Sequence, residues 1–265
     1  MTHREKLYPL CEKMVQLALE IAEQSKLTVT LRGMTEPNVL ALALLGRTLQ
    51  NFKGVVMLIR EKLSVEARVL ARCCYENMFM VGGLHAESAA FADRMIEDDK
   101  AGRKGRIRFT FENEGIFQSL STETQNALSK SKQSFDAAPR VQFLKPKDAS
   151  GVSAFKETYV VYSQFSGDAA HPTIAALARH WAAGAKTPYL DLIPDAKDDE
   201  LDETLHLACL AVLGIMVVVN EMQGYTEAGK RLPALNGEFL ALQAEKYGAA
   251  TINEGMEIGT APPPN

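Results

Sequence analysis

The stretch LACLAVLGIMVVV, Leu207 to Val219, runs for thirteen residues without a charge, an amide or a hydroxyl. It is shorter than the roughly 20 apolar residues that span a bilayer. As a helix it is apolar on every side, and such a helix persists in water only when neighbours enclose it. The rest of the chain therefore has to supply amphipathic helices that bury it.

The flanking sequence reads that way. Apolar residues recur at three and four positions and almost nowhere alternate over a strand's length, so the chain is all-α, a multi-helix bundle with one fully buried central helix. A first helix is expected from about Tyr8 to Ser25, with Leu10, Met14, Leu17, Ala18 and Ile21 facing inward. A second starts at a Thr35 cap with Pro37 in its first turn and runs to Lys62. A third, capped by Ser64, should end or bend at Gly82–Gly83. A fourth spans about 88 to 113, and Thr122 with Gln125 has the spacing of a capping box for a fifth. Residues 139–152 read as a surface connection, 153–166 as a helix, and IAALARHWAA as another. The buried helix covers about 200 to 223, and a short one follows near 238 to 247. One domain, 1–247, and a disordered Gly/Pro-rich tail, 248–265, complete the reading.

Composition narrows the classes. With 46% hydrophobic and 23% charged residues the chain can bury a sizeable core. A formal net charge of -4 argues against a surface that grips nucleic acid or anionic membrane over its whole extent, so any such grip is local. The N-terminus MTHREKLYPLCEKM has no apolar stretch to serve as a secretory signal, and Cys11, Cys73, Cys74 and Cys209 lack metal-ligand spacing. We expect reduced core thiols, a cytoplasmic location, no membrane segment, no metal and no cofactor. Long apolar helices make a homodimer the expected assembly.

Two places carry charges or hydroxyls that a plain core does not need. Arg68, Arg72 and Glu76 fall four apart and form one stripe, with Tyr75 beside them. Buried guanidinium groups need either acids from another helix, with Asp93, Asp98 and Asp99 the nearest candidates, or a bound anion. The fork of arginine suits a phosphate or carboxylate ligand. The second place is YSQFSGDAAHPT, Tyr162 to Thr173. Tyr162 and Ser166 share a helical face, and Pro172 puts His171 at a junction with its ring free to reach inward. This is either a polar corner between helices or part of a site. A third candidate is the basic face of Lys100, Lys104 and Arg108, read either as a solvated surface or as a grip on nucleic-acid phosphates. No phosphate-binding glycine loop, H-E-x-x-H or G-x-S-x-G motif is present.

ARVLARCCYE on an early helix together with YVVYSQFSGDAAHPT on a later one resembles an all-helical bacterial family of unknown function, domain family 5677, over about residues 35 to 220. The resemblance implies that Arg72, Glu76, Ser166 and His171 come together in one bundle, and implies no reaction. More distantly the chain is similar to the HEPN group, many of whose members are ribonucleases or defence and toxin components. Those nucleases usually carry R-x(4 to 6)-H on one helix, and no arginine here has that spacing before His85, His171, His180 or His206.

Two functions follow as expectations. In the first, an RNA or another phosphate-containing substrate is cleaved, with His171 as general acid or base, Arg72 and Arg68 stabilising phosphate charge, and Glu76 orienting a partner. Tyr75, Tyr162 and Ser166 then line the ligand. In the second, the same residues form a specificity network inside a non-catalytic module that binds an anionic small molecule or a protein.

Overall fold

The computed structural model describes residues 2–27, 30–136, 143–182 and 189–248. Helix α1 (His3–Gln24) begins earlier than the apolar period suggests, because Thr2 and Glu5 form a capping box that starts the helix at residue 3. Its inward face is the expected one: Leu10, Met14, Leu17, Ala18 and Ile21 are all buried. Helix α2 (Pro37–Arg60) has Pro37 in its first turn as expected. Its cap is Glu36 rather than Thr35, whose hydroxyl donates to the Arg32 carbonyl at 2.8 Å.

Helix α3 (Ser64–Glu87) runs straight through the double glycine where an end or bend was expected. The glycines serve close approach. A Cβ on Gly82 would lie 2.5 Å from the Ser153 Cβ, and one on Gly83 would overlap the ring of Phe91, which is itself fully buried. Helix α4 (Ala89–Glu112) therefore folds back tightly on α3.

Helices α5 (Glu114–Ser119) and α6 (Thr122–Asp136) lie beyond it. The cap of α6 is Ser121, which accepts from the Thr124 N–H at 3.3 Å. Gln125 instead donates back to the Phe117 and Leu120 carbonyls. The segment read as a surface connection contains α7 (Pro146–Val152), with Ala149 and Ser150 buried against α3 where the glycines make room.

Helix α8 (Tyr159–Phe165) widens into one π turn, Ser166–Ala170, before the short α9 (Ile174–Leu177). The alanine-rich stretch after it does not continue as a helix. Strands β1 (Trp181–Ala182) and β2 (Tyr189–Leu190) pair antiparallel instead, with Trp181 opposite Leu190. Tertiary bonds override the local helix preference: the Arg179 guanidinium is drawn into ion pairs, and Asp191 bonds back to His180 through N–H to carbonyl at 2.8 Å.

Helix α10 (Asp198–Met222) holds the stretch with which the reading began. By length and composition it could cross a membrane, yet 67% of its most apolar window is buried inside the bundle. It packs on α1, α2 and α3, while α11 (Leu232–Tyr247) closes the far side against α1. Gly248 ends α11 with φ +86°, and the expected tail lies, from residue 249 onward, outside the described residues. Buried side chains of α1, α2, α3, α10 and α11 form one contiguous cluster. Cys11 and Cys209 are free thiols within it, their Sγ atoms 3.6 Å apart.

The glycine contacts generate a test. Gly83→Ala should destabilise the protein by about 1–3 kcal/mol, because the rigid Phe91 ring has no room to retreat. Gly105→Ala, whose Cβ would meet nothing within 4 Å, should stabilise it by about 0.5–1 kcal/mol. Urea denaturation midpoints of the two variants should therefore move in opposite directions.

Candidate functional site

The polar stripe of α3 is built in two parts. Arg68 is 7% exposed. Its guanidinium contacts Asp168, lies 3.2 Å from Glu200 and 3.0 Å from Glu203, and its Nε donates to the Thr204 hydroxyl at 3.1 Å. The acids expected from α4 are used elsewhere: Asp93 pairs with Arg32, Asp99 with Arg103, and Asp98 accepts the Leu144 N–H. Partners come instead from the π turn and the first turns of α10. Arg179 bridges the same carboxylates, 2.5 Å from Asp168 and 3.2 Å from Glu200. Burial by itself would raise the Asp168 carboxyl, but hydrogen bonds from Arg179 and Arg68 outweigh it and hold the group below the usual carboxylate range.

One turn further along α3, an Arg72 Nη donates to Glu76 at 2.6 Å and to the Tyr162 hydroxyl at 3.3 Å, and that hydroxyl donates to Glu76 at 3.0 Å. Arg72, Glu76 and Tyr162 thus meet, where the resemblance implied Arg72 and Glu76 with Ser166 and His171. Burial opposes the charge on Arg72, yet the contacts with Tyr162 and Glu76 prevail and raise its affinity for the proton. Its Nε is buried and makes no hydrogen bond among the described residues.

The other expected residues take different places. Tyr75 is wholly buried, its hydroxyl donating to the Leu207 carbonyl at 3.0 Å, so it packs in the core and does not face a ligand. Ser166 opens the π turn half-buried, and its hydroxyl makes no hydrogen bond among the described residues. His171 does sit at the junction, in extended backbone. Its side chain is exposed rather than turned inward, and no hydrogen bond or ion pair joins it to Arg72 or Glu76 among the described residues. The turn is held instead by Thr173, whose hydroxyl donates to the Gly167 carbonyl and caps α9.

On the basic face, Lys100 is exposed and Arg108 pairs with Glu112. Lys104 donates to the Phe135 carbonyl at 2.9 Å. Among the described residues no group of three or more His, Cys, Asp or Glu is placed to hold a metal ion.

Sequence reasoning missed Glu200, Glu203, Thr204 and Arg179. A signal for the α10 residues was present: Glu200, Glu203 and Thr204 immediately precede an apolar run in a helix that has to be buried.

A family model described as a family of unknown function, DUF5677, matches residues 38–186. The chain belongs to this family. No curated protein and no solved structure matches it. The matched span of DUF5677 includes Arg68, Arg72, Glu76, Tyr162, Asp168, His171 and Arg179. It stops before Glu200 and Glu203, so part of the Arg68 cage lies outside the family match.

A separate buried cluster carries the acid response. His206 stacks on Phe239 with ring centroids 4.6 Å apart, and His3 lies 6.1 Å from it. Burial, helped by the neighbouring His3, pushes the His206 imidazole down to about 4. Its unfolded value is near 6.5, so the unfolded chain binds the proton first. The contribution is full above pH 6.5 and is lost as pH falls toward 4, by about 3 kcal/mol. Asp168, with its carboxyl held low, loses its contribution only in more acid solution, below its unfolded value.

Two measurements follow. Thermal melts from pH 7.5 to 4 should show a smaller loss of Tm in His206→Phe than in the unaltered chain. Arg68→Ala should cost roughly 3–5 kcal/mol, because it strands buried carboxylates, whereas the more exposed Arg72→Ala should cost less in the same denaturation assay.

Proposed function

We propose that this chain is a non-catalytic, cytoplasmic helical binding module in which the polar cluster is a lock rather than a reaction centre. Charge balance carries the reading. Three guanidinium groups, Arg68, Arg72 and Arg179, face four carboxylates, Asp168, Glu76, Glu200 and Glu203. A phosphate entering here would have to displace a carboxylate and would meet a site already one charge negative, which disfavours it. The lock fixes the π turn and α9 to α3 and α10.

What it holds in place is an arm with an apolar exterior. Ile174, Leu177, Trp181, Leu190, Leu192 and Ile193 are each more than half exposed. Large apolar side chains gathered this way mark a surface that another protein covers. A second copy of the chain in an isologous dimer is the simplest such partner.

A HEPN-like ribonuclease of the defence or toxin type is the second reading. Its support is the buried Nε of Arg72 beside Glu76, unbonded among the described residues, a donor that a substrate oxygen could take up. His171 would then act as general acid or base.

One pair of experiments separates them. Purified protein should leave RNA intact, with induced expression harmless to growth and His171→Ala indistinguishable from the parent chain. Cleavage that disappears in His171→Ala would reverse the choice. In light scattering after gel filtration, Ile193→Asp with Leu190→Asp should convert a dimer to a monomer without lowering Tm.

A further inference from the structure

The stretch from Lys100 to Lys132, which runs from the second half of α4 into α6, has the opposite electrostatics from the lock. Between Lys100 and Lys132 stand seven cations, Lys100, Arg103, Lys104, Arg106, Arg108, Lys130 and Lys132, against three carboxylates, Glu112, Glu114 and Glu123. That is a net +4 in a chain whose formal total is -4, so the remaining residues carry -8. The last buried residue of α4 is Ala101, so this basic stretch lies beyond the main core. The Lys104 bond to the Phe135 carbonyl joins the two helices, and the Phe111 ring on α4 meets Phe117 on α5, 4.6 Å between centroids.

Between the helices is a cleft of about 330 Å³, at the small end of the range for ligand sites. Half-buried Ile107, Leu128 and Phe135 form its apolar floor, and exposed Arg103 and Arg106 stand at its rim. Arg103 shares one acid, Asp99, at 2.8 Å. The Arg106 side chain has no ion pair or hydrogen bond among the described residues. Gly102, whose Cβ would sit 3.4 Å from an Arg106 Nη, leaves room for that guanidinium over the helix.

We infer that this cleft binds a nucleoside phosphate, with the base on Phe135 between Ile107 and Leu128 and the phosphate on Arg106 and Arg103. A flat apolar floor beside an unpaired guanidinium matches a ligand with a planar body and an anionic group at one end. A bare phosphate would use only the rim, and a neutral aromatic only the floor. The nucleotide is either free or one unit of an RNA strand, whose further phosphates would run along Lys100 and Arg108. The site is distinct from the lock and from the apolar arm, so it stands or falls independently of both.

The test uses the full chain, with AMP in calorimetry and a fluorescein-labelled 12-nucleotide oligoadenylate in anisotropy, each at 50 and 200 mM salt. Equal affinity for AMP and the oligonucleotide assigns a mononucleotide. Tighter oligonucleotide binding that falls steeply with salt assigns a strand. In either case Arg106→Gln should weaken binding at least tenfold, and Phe135→Leu, which keeps the apolar floor but removes the ring, severalfold, both with Tm unchanged. No binding of either probe at millimolar concentration, or an affinity indifferent to Arg106→Gln, overturns the inference. Gel analysis of the recovered oligonucleotide reports cleavage separately, so failure of the non-catalytic reading would be seen as such.

Discussion

A guanidinium that is 7% exposed on a packed helix dictates much of what surrounds it. Taking Arg68 out of water costs several kcal/mol unless carboxylates with good geometry meet it. That requirement draws in the first turns of α10, through Glu200, Glu203 and Thr204, and the π turn, through Asp168. Asp168 and Glu200 in turn capture Arg179, which stops the alanine-rich stretch from continuing as a helix and starts the hairpin. One buried charge thereby orders the chain from Tyr159 to the paired strands.

What the sequence could say about this was uneven, for physical reasons. The inward face of α1, the long α2 and the enclosed α10 were readable because burial on a 3.6-residue period leaves a local trace. The start of α1 was missed although THRE is itself a capping box, because the apolar period begins only later. Gly82–Gly83 was misread because glycine signals a helix end and a close approach equally well, and only the position of Phe91 distinguishes them. The hairpin was illegible since its cause is long-range: Arg179 and Ala-rich neighbours are good helix formers until Asp168 and Glu200 are placed beside them. At the site, the Arg72–Glu76 pair was legible from its four-residue spacing, whereas its contact with Tyr162, 86 positions from Glu76, leaves no local trace. The partners of Arg68 were assigned to the wrong helix, since sequence proximity favoured α4 over residues 100 or more positions away.

A formal charge of -4 conceals two environments of opposite character. In the lock, carboxylates outnumber guanidinium groups and each guanidinium is neutralised by the protein itself. Between Lys100 and Lys132, cations outnumber acids and Arg106 is unpaired among the described residues. Belonging to DUF5677 assigns no chemistry to either. The distinction between them rests on which charges the fold has already satisfied.

The enclosure of α10 also sets an order of events during synthesis. Its neighbours α1, α2 and α3 are complete by residue 87, yet the helix they enclose does not begin until Asp198. At ribosomal rates of about 5–20 residues per second the apolar faces of those three helices wait several seconds or longer for their centre. Helix α1 also joins α10 and α11 across the bundle, Arg4 with Asp198 and Lys6 with Glu245. A nascent chain of this protein thus carries an open, oily groove from the completion of α3 until α10 emerges, more than a hundred residues later.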